Sequence, residues 1–223
     1  MSRSDSGGGA ERSLARLDEI TRRLRRECPW DREQDARSIV PHTVEESYEL
    51  ADAAARDDTA AMLDELGDVL FQVVFLALLL EERGEGDLAA VAESCTAKLI
   101  RRHPHVFGDA EMEDAGQVLK QWEQIKRDVE GRSADPLAEI PENLPSLLFA
   151  RKVLRRTDPA PSSAAGKPGG PGAPEEDRVE AEREAGDLLL DAVRRSRELG
   201  VDPELALRAA ATRLGETAPS DDI

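Results

Sequence analysis

The sequence runs to 223 residues, with 39% hydrophobic, 3% aromatic and 35% charged side chains and a formal net charge of −17. That length allows one substantial core or two small ones, and the abundance of Leu, Ala, Glu and Arg favours helices over sheets. The acidity argues against a sequence-independent nucleic-acid binder, which needs a basic face, but not against a phosphate substrate, because a bound divalent cation reverses the local field.

Residues 1–11 are small and polar and are expected to be disordered, without a secretory signal. Leu14, Leu17, Ile20 and Leu24 then recur at helical spacing among charges. Pro29 breaks that helix, and a loop is expected from Cys28 to about Pro41. The second helix is expected to start near Thr43, where Thr43 and Glu46 match the capping-box spacing. Val44, Tyr48, Ala51 and Ala55 form its apolar stripe. A third helix, from about Ala60 to Glu82, becomes apolar on nearly every face in its second half and should form the buried centre of a bundle. Its longest apolar run, Val69 to Leu80, is interrupted by Gln72 and falls short of a membrane span. Gly84 and Gly86 end it. A fourth helix spans about Leu88 to Arg102, a loop carries His103 to Gly108, and another helix is expected over 115–131.

The character changes past Pro136. A helix over Ser146 to Arg156 precedes a Pro, Gly, Ala and Ser-rich stretch, 159–174, that reads as a flexible linker. Helices follow over 175–200 and from Pro203 to Leu214. The string Asp64-Glu65-Leu66-Gly67-Asp68-Val69-Leu70 is echoed by Arg183-Glu184-Ala185-Gly186-Asp187-Leu188-Leu189. The chain therefore looks like a duplicated helical unit whose second copy has decayed. Cys28 and Cys95 offer neither a disulfide framework nor zinc spacing, and a soluble cytoplasmic protein is expected.

The carboxylates carry the chemistry. At 100° per residue, Glu45, Glu46 and Glu49 fall within one arc of the second helix. Glu65 and Asp68 lie one turn apart on the third, and antiparallel packing of the two helices would set the pairs facing one another. A solvated acidic face produces the same pattern. Asp68, however, is embedded among Leu66, Val69, Leu70 and Phe71, and no Lys or Arg occurs between Arg56 and Arg83. If buried, it must be protonated, paired or bound to a cation. Converging carboxylates without ligand-spaced His or Cys suit magnesium or manganese rather than zinc. Lys98, Arg101, Arg102 and Lys126 are candidates for phosphate contacts; for those ending the fourth helix, complementing its dipole is an equal alternative. Trp30 and Trp122 could stack on a base or pack in a core.

These residues resemble the MazG family. The resemblance rests on Cys28-Pro29-Trp30-Asp31-x-x-Gln34, Glu45-Glu46-x-x-Glu49, Glu65-Leu66-Gly67-Asp68, the string Lys98-Leu99-Ile100-Arg101-Arg102-His103-Pro104-His105-Val106-Phe107-Gly108-Asp109, and Trp122-x-x-x-Lys126. It implies an all-α helical bundle acting as a homodimer, with a family domain over 12–135. Beyond it come a connecting helix (136–158), the linker, a degenerate second repeat (175–216) and a disordered tail (217–223). The resemblance also implies Mg²⁺-dependent hydrolysis of ribo- and deoxyribonucleoside triphosphates to monophosphate and pyrophosphate. Glu46, Glu49, Glu65 and Asp68 would hold Mg²⁺, with Mn²⁺ as a substitute, and Glu45 would orient or deprotonate water. Trp30, Gln34, Lys98, Arg101, Arg102, Trp122 and Lys126 would contact substrate. No nucleic-acid or membrane partner is expected. The second repeat lacks a Glu-Glu-x-x-Glu helix and a later Trp, which leaves one active site per chain. A helical module that senses nucleotides or binds protein without catalysis is the alternative.

Overall fold

A computed structural model describes residues 7–110, 117–118, 121–122, 124–125, 133, 135, 137–157, 167, 169–170 and 172–218. Among the described residues every regular element is helical: α1 (Gly7–Glu27), a short 3₁₀ turn (Asp31–Glu33), α2 (Ala36–Ala55), α3 (Thr59–Glu82), α4 (Leu88–Arg102), α5 (Pro104–Phe107), α6 (Ser146–Thr157), α7 (Glu175–Glu198) and α8 (Pro203–Thr217). No helix among them is long and apolar enough to cross a membrane. The chain forms two compact units, Met1–Ala97 and Lys98–Ile223.

In the first unit α2 and α3 make the main helix pair, and α1 packs on α3. The turn between α2 and α3 is tight. Asp57 takes a left-handed φ of 53°, and the Asp58 carboxylate caps α3 by accepting hydrogen bonds from the amides of Ala60 and Ala61. So short a turn folds the helices back on one another. Ile39, Phe75 and Leu79 then meet in a buried cluster that joins the first turn of α2 to the second half of α3. Val74, Ala77 and Leu78 are also buried, as the all-round apolar pattern of that half requires.

Three local expectations are corrected. Helix α2 begins at Ala36, seven residues before Thr43, and Pro41 lies inside it. The capping box is built by Asp35 and Ser38: the Asp35 carboxylate accepts from the Ser38 amide, and the Ser38 hydroxyl accepts from the Asp35 amide, each at 2.9 Å. That cap and the burial of Ile39 offset the single backbone bond Pro41 cannot make. Thr43 is mid-helix, its hydroxyl turned back to the Ile39 carbonyl. Residues Gly7 to Glu11, expected to be disordered, continue α1 against the propensity of three glycines; residues 1–6 lie outside the described residues. His103 to Gly108 is not plain loop, because Pro104 opens one helical turn, as proline does readily at that position.

The remaining helices lie close to their expected bounds. Of the 115–131 helix, residues 117–118, 121–122 and 124–125 are helical and the others lie outside the described residues. In the second unit, α6 packs on α8 through Phe149, Ala150, Val153 and Ala211, with Ile140 completing the cluster. The described residues of the 167–174 stretch form turns and coil.

Candidate metal centre

The helices α2 and α3 bring three carboxylates together. One oxygen each from Glu46, Glu49 and Glu65 lies within 4.8 Å of the others. The expected facing of the two carboxylate pairs therefore holds for these three. Asp68 lies outside that set, yet its charge bears on Glu46. Desolvation of half-buried Glu46, and then the negative charges of Asp68, Glu49 and Glu65, push its carboxyl above the usual carboxylate range. Like charges this close resist joint ionisation. Hard oxygen donors converging from two helices fit a divalent cation such as Mg²⁺ or Mn²⁺.

The burial expected of Asp68 is corrected: its side chain is exposed in the single chain. Its sequence neighbours Leu66 and Leu70 are themselves exposed, so an apolar stretch of helix does not by itself enclose the carboxylate. The desolvation argument passes to Glu46. Glu45 is exposed and is not one of the three clustered carboxylates; its Oε2 lies 3.2 Å from Nδ1 of His42.

Trp30, at the head of the 3₁₀ turn, lies against α2. Trp30 is 51% exposed, and its ring meets His42 edge-on at 5.9 Å between centroids. Gln34 is half-buried, its amide donating to the Trp30 carbonyl at 2.9 Å. Arg25 fixes the segment, donating to the carbonyls of Asp31 and Gln34 while gripping Glu82 at the end of α3 with two bonds of 2.8 and 2.9 Å. Sequence reasoning missed His42. A single histidine three residues before Glu45 carries no distinctive spacing, and only folding sets it against Trp30.

Sequence reasoning also left Gln72 unassigned. It is buried on α3, and its Oε1 has no hydrogen-bond partner. Leaving such a group unpaired costs about 1–3 kcal/mol.

The other expected site residues belong to the second unit. Lys98 and Arg101 are exposed near the end of α4, and Arg102 is half-buried. The Arg102 guanidinium lies 5.9 Å from the centre of the Trp122 ring, and His103 lies 5.8 Å from the same ring. Lys126 lies outside the described residues. Glu184 and Asp187 are exposed on α7, and among the described residues no carboxylate cluster forms around them.

The sequence matches known proteins over most of its length. The family model described as the MazG nucleotide pyrophosphohydrolase domain matches residues 34–107, a span that contains the three clustered carboxylates and Asp68. The chain is 40% identical over 218 residues to the nucleoside triphosphate pyrophosphohydrolase of Escherichia coli K12, covering 88% of this chain and 82% of that protein. It is 40% identical over 199 residues to the nucleoside triphosphate pyrophosphohydrolase/pyrophosphatase MazG of Thermotoga maritima, covering 85% of this chain and 76% of that protein. The crystal structure of a mazG-related protein from Thermotoga maritima aligns with 51% of this chain and 99% of its own, at 25% identity and a TM-score of 0.45. The chain belongs to the MazG family of nucleotide pyrophosphohydrolases.

Proposed function

We propose that this chain hydrolyses nucleoside and deoxynucleoside triphosphates to the monophosphate and pyrophosphate, using Mg²⁺. The observation that carries this reading is the approach of the Glu46, Glu49 and Glu65 oxygens to within 4.8 Å. With Asp68 beside them they would hold the cation. When bound, Mg²⁺ would neutralise phosphate charge and acidify a coordinated water.

The chain's own groups do the rest. Glu45, exposed and next to His42, accepts the proton of the attacking water. The new P–O bond forms as the α–β anhydride bond breaks, and pyrophosphate leaves. Trp30 offers its exposed ring to the nucleoside, with Gln34 holding the Trp30 carbonyl in place. Lys98, Arg101, Arg102 and Lys126 are assigned to the phosphate chain, and Trp122 to the nucleoside, on the strength of the family motifs.

A homodimer belongs to the same reading. Leu63 is 75% exposed, Leu66 49% and Tyr48 63%, on adjoining helices of one unit. Apolar surface of that kind suits burial against a second copy. The second repeat would be a structural remnant, leaving one active site per chain, and clearance of nucleotides from the cytoplasmic pool would be the role.

The test is product analysis. Purified protein is incubated with each NTP and dNTP and Mg²⁺, and monophosphate, diphosphate and pyrophosphate are resolved. Equimolar monophosphate and pyrophosphate, lost in Glu49→Gln, support the reading; diphosphate with orthophosphate, or no turnover, contradicts it. Light scattering on the same sample reads the oligomeric state.

A further inference from the structure

The apolar half of α3 carries one polar side chain that the mechanism above does not use. Gln72 is 7% exposed, and its Oε1 is enclosed without a donor. Its position is informative. It follows Glu65 by seven residues and Asp68 by four, so all three share one face of the helix. The next turn of that face reaches the buried Phe75 layer. Helical side chains lean towards the N-terminus of their own helix. Gln72 shares that lean with Glu65 and Asp68 and sits one turn below Asp68 on their face, where the carboxylates give way to the apolar layer.

A buried carbonyl oxygen needs a hydrogen-bond donor. Carboxylates cannot supply one when ionised, but a water coordinated to a cation can. Reach argues for a water between. Seven residues of helix span about 10 Å, more than one carboxamide side chain recovers, which leaves room for a coordinated water but not for direct ligation beside Glu65.

We propose that Gln72 is a positioning residue of the acidic site, its Oε1 accepting a hydrogen bond from a water coordinated to the cation that Glu46, Glu49, Glu65 and Asp68 hold. This rests on the metal reading of that cluster. Groups in such a role orient the ligand sphere and tune affinity. They also explain why an amide interrupts the longest apolar run of the chain.

The test uses the full chain and Mn²⁺ alone, without nucleotide, by titration calorimetry, beside melting curves of the metal-free protein. Gln72→Leu and Gln72→Met fill the space without an unpaired carbonyl. Both should melt at or above the native temperature and bind Mn²⁺ about tenfold more weakly. Gln72→Glu, which keeps an acceptor oxygen, should bind at least as tightly as the native chain. Unchanged Mn²⁺ affinity in the Leu and Met variants, while Glu49→Gln weakens it, would overturn the proposal and leave the metal reading standing. A lower metal-free melting temperature in both variants would overturn it as well, since the amide would then serve packing. Mn²⁺ binding untouched by Glu49→Gln would remove the metal reading and this inference with it.

Discussion

Trp30 and His42 meet edge to face at 5.9 Å, joining the 3₁₀ turn to α2 one helical turn before Glu46. The pair sets an exposed aromatic surface against the helix that carries Glu46 and Glu49. If that surface receives the nucleoside, Trp30→Ala removes binding that is equal in ground and transition states. The Michaelis constant should rise about tenfold, with kcat changed far less. Because Trp30 is largely exposed, the melting temperature should hardly move. Steady-state kinetics beside a melting curve check both.

The raised carboxyl of Glu46 predicts a pH dependence. In the metal-free fold this group binds its proton more tightly than in the unfolded chain, where the ordinary value is 4.5. Its contribution to stability is therefore complete below about 4.5 and is lost as pH rises through the higher folded value. Glu46→Gln should melt higher than the native metal-free protein at neutral pH, with the difference shrinking towards acid. The stabilisation given by Mg²⁺ should grow with pH over the same window, because a ligand carboxyl must shed its proton. Melting curves from pH 4 to 8, with and without Mg²⁺, read both trends (roughly that window follows from the ordinary carboxyl value).

Glu81 and Glu82 behave in the opposite sense. Hydrogen bonds from Arg22 and Arg25 hold their carboxyls below the usual range. Their stabilisation is present above the ordinary carboxylate pKa and is lost as pH falls through the lowered values. Arg22→Gln combined with Arg25→Gln should flatten the acid limb of the stability curve, as followed by helical circular dichroism.

Arg25 is more than an ion-pair partner. One guanidinium grips Glu82 and also donates to the carbonyls of Asp31 and Gln34. A lysine cannot reproduce that fork. Arg25→Lys should cost about 1–3 kcal/mol by chemical denaturation. It should also loosen the Trp30 segment, read as a change in tryptophan fluorescence ahead of global unfolding. A wild-type denaturation midpoint would contradict this role.

Phe75 is fully enclosed between Ile39 and Leu79. Phe75→Ala should destabilise the first unit by about 3–5 kcal/mol. Phe75→Leu, which keeps most of the volume, should cost appreciably less. Equal losses in the two variants would show that filled volume is not what Phe75 contributes, and no loss in either would show that its packing does not join α2 to α3.

Much was legible in the residues taken one helix at a time. The spacing of Glu46 with Glu49 and of Glu65 with Asp68, the glycine-ended α3, the limits of α4 and the helices of the second half all follow from periodicity and end signals. These are local properties of 3.6 residues per turn. The start of α2 was not legible, because the Thr43–Glu46 spacing and Pro41 both argue for a late start. Burying Ile39 against Phe75 favours the start at Ala36 that Asp35 and Ser38 cap, and that contact does not exist until the helices meet.

The sequence by itself determined an all-helical chain carrying two carboxylate pairs on consecutive helices, and with its motifs it identified the family. Only the tertiary structure decided that Glu46, Glu49 and Glu65 converge while Asp68 stays exposed, that His42 stands against Trp30, and that Gln72 is sealed in without a donor. The division has one cause. Helical spacing is set by bonds within a single segment, whereas burial and the distance between side chains on different helices depend on the register in which those helices pack.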